Sequence, residues 1–202
     1  ATLSLLPPLA GAAVLDAGSG SGWYAEYLLS QGAAVTSIDY NAEFVALTRA
    51  RIGAQATVLQ ADLTQPLSFA GDGQFDLIVC PLVMHYVKEW TPTLREFYRV
   101  LKPQGVLVFS THHPFMDWKQ FEQEDYFAVT LLEDEWRDVG IVHFYRRPLT
   151  AISQALADAG FVIERLLEPQ PVEAMHTADP TWHERLSKNP WFLVVRAIKR
   201  CR

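Results

Sequence analysis

Three glycines at alternate positions, Gly18, Gly20 and Gly22, follow an acidic residue that closes the short apolar run Val14-Leu15-Asp16. Glycine admits positive φ and lets a backbone approach a ligand with no Cβ in the way. The helix start that follows offers N–H groups able to hold a carboxylate or phosphate. Asp39 and Asp62 end the next two apolar runs, and each can accept charge-assisted hydrogen bonds worth about 1.5–3 kcal/mol. This set points to a small polar ligand held where strands run into loops. His85, His112 and His113 are the candidates for proton transfer, because an unperturbed imidazole titrates at about pH 6.5. The adjacent pair His112-His113 raises the question of a metal. No Cys/His spacing of the zinc kind accompanies it, and the nearby Asp117 and Glu122 are unspecific, so no metal site is expected.

The elements that must position these residues alternate between strand and helix, the pattern of a parallel sheet covered on both faces. Strands are expected at 12–16, 33–38, 57–60, 75–80 and 106–111, with helices at 23–31, 42–52 and 90–101. Residues 3–9 read as a lead-in loop, and Asn41 as the cap of the second helix. Trp23 and Tyr27 share a helical spacing and are expected in the core, whereas Tyr24 points elsewhere and is a ligand candidate. Asp76, at the far end of its strand, reads as structural. Residues 112–138 are rich in aromatics and acids without clear period, and look like an insertion over the site. An extra strand at 139–145, a helix at 149–159, a strand at 161–167, a Pro-rich loop and a last strand at 191–198 complete the chain. No repeat or linker interrupts it, so 1–202 reads as one domain.

With 202 residues, 50% of them hydrophobic, the chain can bury about 70% of its unfolded surface without staples. Two cysteines, Cys80 and Cys201, make no disulfide framework, which points to a reducing cytoplasm. No apolar run reaches the roughly 20 residues of a membrane helix. The net charge of −6 and the absence of basic clusters before the tail disfavour nucleic acid, which demands several phosphate contacts. A small-molecule acceptor is the expected partner. The oligomeric state is not readable.

The glycine spacing is one residue shorter than the G-x-G-x-x-G of dinucleotide sites, which leaves a nicotinamide-dependent oxidoreductase as a remote alternative. The sequence resembles the class I S-adenosylmethionine-dependent methyltransferases, in particular the small-molecule group of the ubiquinone/menaquinone methyltransferases. The resemblance rests on residues 14–22, on Ile38-Asp39-Tyr40, on Gln60-Ala61-Asp62-Leu63, on residues 75–86 and on Arg99 to Gly105. It implies a Rossmann-like, doubly wound α/β fold. The sheet would be seven-stranded and mostly parallel, with an antiparallel last strand, in three α/β/α layers. It implies S-adenosylmethionine as donor and S-adenosylhomocysteine as product. Gly18, Ser19, Gly20 and Gly22 would line the methionine part, with Asp16 on its amino group, directly or through water. Asp39 would take the ribose hydroxyls and Tyr40 the adenine face. Ala61, Asp62 and Leu63 would meet the adenine edge, and Cys80, Pro81 and Leu82 would pass beneath the sulfonium. Tyr24, Tyr86 and Arg146 are candidates for acceptor contacts. A methyltransferase-fold protein that binds donor or product without catalysis is the nearer alternative. Family members carry helices before the first strand, and this chain leaves little room for them, so a segment preceding Ala1 is expected.

Overall fold

The computed structural model describes residues 1–136 and 139–200; Asp138, at the end of the expected insertion, and Cys201 and Arg202 lie outside the described residues. A single 3₁₀ turn, Thr2–Leu5, stands in the lead-in segment. The elements are then β1 (Ala13–Ala17), α1 (Trp23–Ser30), β2 (Ala34–Asp39), α2 (Ala42–Ile52), β3 (Thr57–Gln60), β4 (Phe75–Pro81), α3 (Trp90–Val100) and β5 (Leu101–His112). They are followed by α4 (Pro114–Gln120), β6 (Thr130–Trp136), β7 (Gly140–Arg146), α5 (Leu149–Ala159), β8 (Phe161–Leu167), α6 (Glu173–Ala178), α7 (Pro180–Lys188) and β9 (Phe192–Lys199).

Seven strands form one sheet in the order β3-β2-β1-β4-β5-β9-β8. β3, β2, β1, β4 and β5 run parallel, and β9 is antiparallel to both its neighbours. The expected doubly wound, mostly parallel fold is therefore the observed one. Strands this apolar are stable only when both faces are covered, and β4 divides its side chains accordingly. Ile78 and Cys80 enter the layer with Leu94 and Phe97 of α3 and Ile152 and Leu156 of α5. Leu77 and Val79 enter the opposite layer with Leu28 of α1 and Val45 and Ile52 of α2. The strand order reverses between β1 and β4, so their carboxyl ends splay apart and leave a crevice.

Four expectations are corrected. Helix α3 ends at Val100, and Leu101 pairs with Phe75, so β5 starts before the expected residue 106 and carries Gln104 at φ +65° between the two expected elements. The segment 112–138 is not irregular. It contains α4 and β6, and β6 pairs antiparallel with β7 as a separate two-stranded sheet. The Pro-rich loop holds α6 and α7, the latter capped by Asp179, which accepts from the Trp182 backbone N–H. Trp23 is 49% exposed and stacks on Tyr27, so it lies outside the core, whereas Tyr24 and Tyr27 pack partly against it. Asp76 accepts from the Ala13 backbone N–H and from Lys102 Nζ at 2.8 Å each, a structural role that joins β4 to β1 and β5.

Candidate functional site

The glycine turn is tied down from below. The N–H groups of Gly18 and Ser19 both donate to the Ile38 carbonyl, and Gly22 N–H donates to the Ser19 carbonyl. Gly20 N–H donates to Asp39 Oδ2 at 2.9 Å. Ser19 Oγ lies 3.0 Å from Thr48 Oγ1, which in turn donates to the Gly20 carbonyl. A Cβ on Gly18, where φ is +86°, would fall 2.2 Å from Val83 Cγ2. A Cβ on Gly22 would meet the backbone of Thr48 at 3.0 Å. Gly18 thus allows the strand-four loop to approach, and Gly22 allows α1 and α2 to pack. The N–H groups of Gly18, Ser19, Gly20 and Gly22 are thus already used within the protein.

Above the turn lies a cavity of about 680 Å³ at the β1/β4 crevice. It brings together Gly18, Gly20, Asp39 and Tyr40 from one side with Ala61, Asp62 and Leu63 from another. Pro81, Leu82 and Tyr86 close the third side. Asp39 Oδ1 accepts from Asn41 N–H at 2.9 Å, so both its oxygens are anchored by backbone and keep free lone pairs. Asp62 Oδ1 accepts from the N–H and Oγ1 of Thr64, each at 2.8 Å, which orients the carboxylate at the loop. Tyr40 is 73% exposed at the rim. Phe44, Thr64, Val83 and Val87 also line this cavity. Sequence reasoning missed them; Phe44, one turn into α2 after Asp39-Tyr40, was the one with a positional signal.

Four expected site residues lie behind that surface. Asp16 is fully buried; Oδ2 accepts from Ser37 Oγ at 3.1 Å and Oδ1 has no protein partner. Burial, with Asp39 nearby, pushes its carboxyl up to about 7 against the Ser37 bond. Ser19 and Gly22 are used in packing the turn. Cys80 is buried in the core, where burial pushes its thiol well above the usual range.

A second cavity, of about 730 Å³, adjoins the first through Leu82 and extends under the β6–β7 hairpin and α7. Leu82 has φ +55°, and its N–H reaches both the carbonyl and Oγ of Ser110. A non-glycine residue held in this region marks a position the surrounding structure over-determines. His112 lines the second cavity with Nδ1 3.6 Å from Asp117 Oδ1, and burial pushes its imidazole down to about 4. Asp117 is raised to about 7 by burial and by Asp134, against the pull of Arg146. Sequence reasoning gave Asp117 no role, because its neighbours come from the hairpin.

His85 lies behind this wall, its ring stacked on His112 at 4.3 Å, with both nitrogens buried and unpartnered. Burial, with His112 and Arg147 nearby, holds its imidazole well below the ordinary range. His113 caps α4 by accepting from Phe115 N–H, and its Nε2 lies 2.9 Å from Glu168. Arg146 is 1% exposed and donates to the carbonyls of Asp125, Tyr126 and Ala128, so it staples the segment before β6. Tyr24 does not line the first cavity; it lines a third, smaller one that shares Pro81 and Leu82 with it. Among the described residues no group of three or more His, Cys, Asp or Glu is arranged to hold a metal.

Residues 15–109 match the Methyltransferase domain family. A malonyl-[acyl-carrier protein] O-methyltransferase of Enterobacter lignolyticus is 38% identical over 55% of this chain and 43% of its own length. The chain thus spans less than half the length of that curated relative. A Listeria monocytogenes protein assigned to the S-adenosylmethionine dependent methyltransferases superposes with a TM-score of 0.86 at 23% identity, over 99% of this chain and 95% of its own. One from Mesorhizobium loti gives 0.79 at 26% identity, over 98% and 95%. The match to the methyltransferase domain over just under half of the chain, with the shared fold, supports a class I S-adenosylmethionine-dependent methyltransferase. The domain match and the fold neighbours imply S-adenosylmethionine as cofactor, and the donor-side cavity fits it. No Lys or Arg lines the cavity and two carboxylates do, which suits a cationic nucleoside and not a diphosphate. The unpartnered Asp16 Oδ1 is an acceptor that a ligand ammonium would satisfy.

Proposed function

We propose that this chain transfers the methyl group of S-adenosylmethionine to an oxygen, nitrogen or carbon nucleophile of a small molecule seated in the second cavity. The observation that carries the reading is the shared wall at Leu82, the one residue that faces both the carboxylate-lined cavity and the aromatic one. The bound donor supplies an electrophilic methyl on a sulfonium.

The residues of this chain bind and orient. Asp39 would hold the ribose hydroxyls, its lone pairs aimed by the Gly20 and Asn41 N–H groups. Tyr40 would cover the adenine, and Asp62 with the Leu63 and Ala61 backbone would hold its edge. Gly18, Ser19 and Gly20 would carry the methionine part over Asp16. Pro81 and Leu82, with the Cys80 backbone, would form the floor under the reacting sulfur. Holding two reactants in line supplies about 7–11 kcal/mol of the barrier without acid–base help. A base is needed only where the nucleophile carries a proton, and His112 lies on the acceptor wall. His85 and His113 would act through packing and helix capping. The family match ends at residue 109, before the second cavity's lining from His112 onward, so the acceptor of the Enterobacter relative is not carried across. The acidic charge supports a small molecule over nucleic acid, and the free thiol of Cys80 supports a cytoplasmic setting. Calorimetry with S-adenosylmethionine and with NAD tests the donor. Methyl-labelled donor with a panel of small acceptors tests transfer. Binding of NAD alone would overturn the reading.

A further inference from the structure

The second cavity is unbalanced in charge. Among the described residues, Asp117, Asp134 and Glu135 line it, and Arg185 is the one lining cation. That guanidinium is drawn onto two indole faces, 5.0 Å from the Trp182 ring centre and 4.3 Å from that of Trp191. Arg146, the cation acting on Asp117, turns its N–H groups to three backbone carbonyls. Asp134 is held in place, accepting from Glu135 N–H at 2.9 Å and from Trp136 Nε1 at 3.0 Å. The rest of the wall is aromatic, with Trp136, Phe144 and Trp182 the largest faces.

Resting on the methyl-transfer reading above, the geometry points to an acceptor whose nucleophile is an amine nitrogen on an aromatic or apolar body, with Asp117 as the group that takes its proton. An ammonium gains from carboxylates and from indole faces together. A carboxylate acceptor would meet like charge in a partly desolvated space, and a phenol would leave the acidic side unneutralised. Asp117, raised to about 7 by burial and Asp134, is a base matched to neutral pH. His112 stays neutral beside it, with Nδ1 3.6 Å from Asp117 Oδ1. In the transfer, the Asp117 carboxylate first takes a proton from the bound ammonium and so frees the nitrogen lone pair. That pair forms the new N–C bond as the S–C bond of the sulfonium donor breaks and its electron pair stays on sulfur, and the product leaves as the methylated ammonium.

The test titrates the protein, with S-adenosylhomocysteine present, by tryptophan fluorescence against 2-phenylethylamine, 4-ethylphenol and 3-phenylpropionate. The amine should bind at least about tenfold more tightly than the carboxylate. Asp134→Asn and the exposed-side change Glu135→Gln should each weaken the amine several-fold and leave the carboxylate unweakened. Asp117→Asn should abolish transfer to the amine while affinity for S-adenosylhomocysteine is kept. Equal or tighter binding of the phenol or the carboxylate overturns the inference, as does failure of all three to bind or indifference to both substitutions. Calorimetry with S-adenosylmethionine runs beside it. If the donor fails to bind, the methyl-transfer reading falls, while the titration still decides what the cavity accepts.

Discussion

The backbone N–H of Gly20 donates to Oδ2 of Asp39 at 2.9 Å, so one carboxylate both clamps the glycine turn and faces the donor cavity. Asp39→Ala should therefore weaken S-adenosylmethionine binding about 10- to 100-fold by the loss of one or two charge-assisted bonds. Asp39→Asn keeps an oxygen for Gly20 and should lose less. Calorimetric Kd values for the two variants check this, and an unchanged affinity in Asp39→Ala would remove Asp39 from the ligand.

The close approach of Val83 to Gly18 makes a paired prediction. Gly18→Ala places a methyl 2.2 Å from Val83 Cγ2 at a φ of +86°. Overpacking costs about 1–3 kcal/mol and the left-handed backbone about 1–2 kcal/mol more. Adding Val83→Ala should return the overlap part and leave the backbone part. Urea denaturation of the single and double variants measures the difference; no recovery would mean that the loop does not depend on this contact.

Asp117 gives a pH signature. Its folded carboxyl is raised to about 7 from an ordinary value of 3.8, so the native state binds more protons than the unfolded one between those limits. Stability from this group falls as pH rises from about 4 to 7. The groups acting on it are His112 from β5, Asp134 from β6 and Arg146 from β7. His112 and His85 oppose it, because each is held below 6.5 and withdraws stability as pH falls. The wild-type curve therefore mixes signs, and the difference is diagnostic. The Tm of Asp117→Asn minus that of wild type should grow by several degrees between pH 5 and pH 8, at about 2–4 °C per kcal/mol. A flat difference contradicts the raised carboxyl.

His85 should behave as a packed ring. Its two nitrogens are buried without partners against His112, Tyr86 and Phe144. His85→Phe should keep donor affinity, preserve stability at pH 7.5 within about 1.5 kcal/mol, and raise Tm at pH 5, where wild-type His85 resists protonation. His85→Ala should lower Tm at both pH values by opening a cavity. Loss of turnover in His85→Phe beyond about 100-fold, with affinities intact, would instead assign it the proton transfer of an essential base.

The donor half was legible because each of its signals is local. Asp16, Gly18, Asp39 and Asp62 stand at strand ends that periodicity locates within a residue, and parallel strands bring such ends to one edge. The acceptor half was not, because its parts meet only through pairings distant in sequence. Thr130 pairs with Arg146 and Trp136 with Gly140, and that register brings Asp134 toward Asp117. The alternation of β6 was hidden because acids stand on both its faces, Asp134 on the inner one with the buried Leu132 and Glu133 and Glu135 on the outer one, and α6 and α7 are too short for a periodic signal. Arg146 shows the same limit from the other side: its charge invited a ligand, while three carbonyls upstream already occupy it.

The hairpin β6–β7 exchanges no strand pairing with the seven-stranded sheet. A change of length or sequence there leaves the hydrogen-bond ladder that carries Asp39 and Asp62 untouched. The chain is thus divided into a fixed engine and an exchangeable nozzle: replacing the hairpin should redirect which molecule is modified while the reagent stays the same.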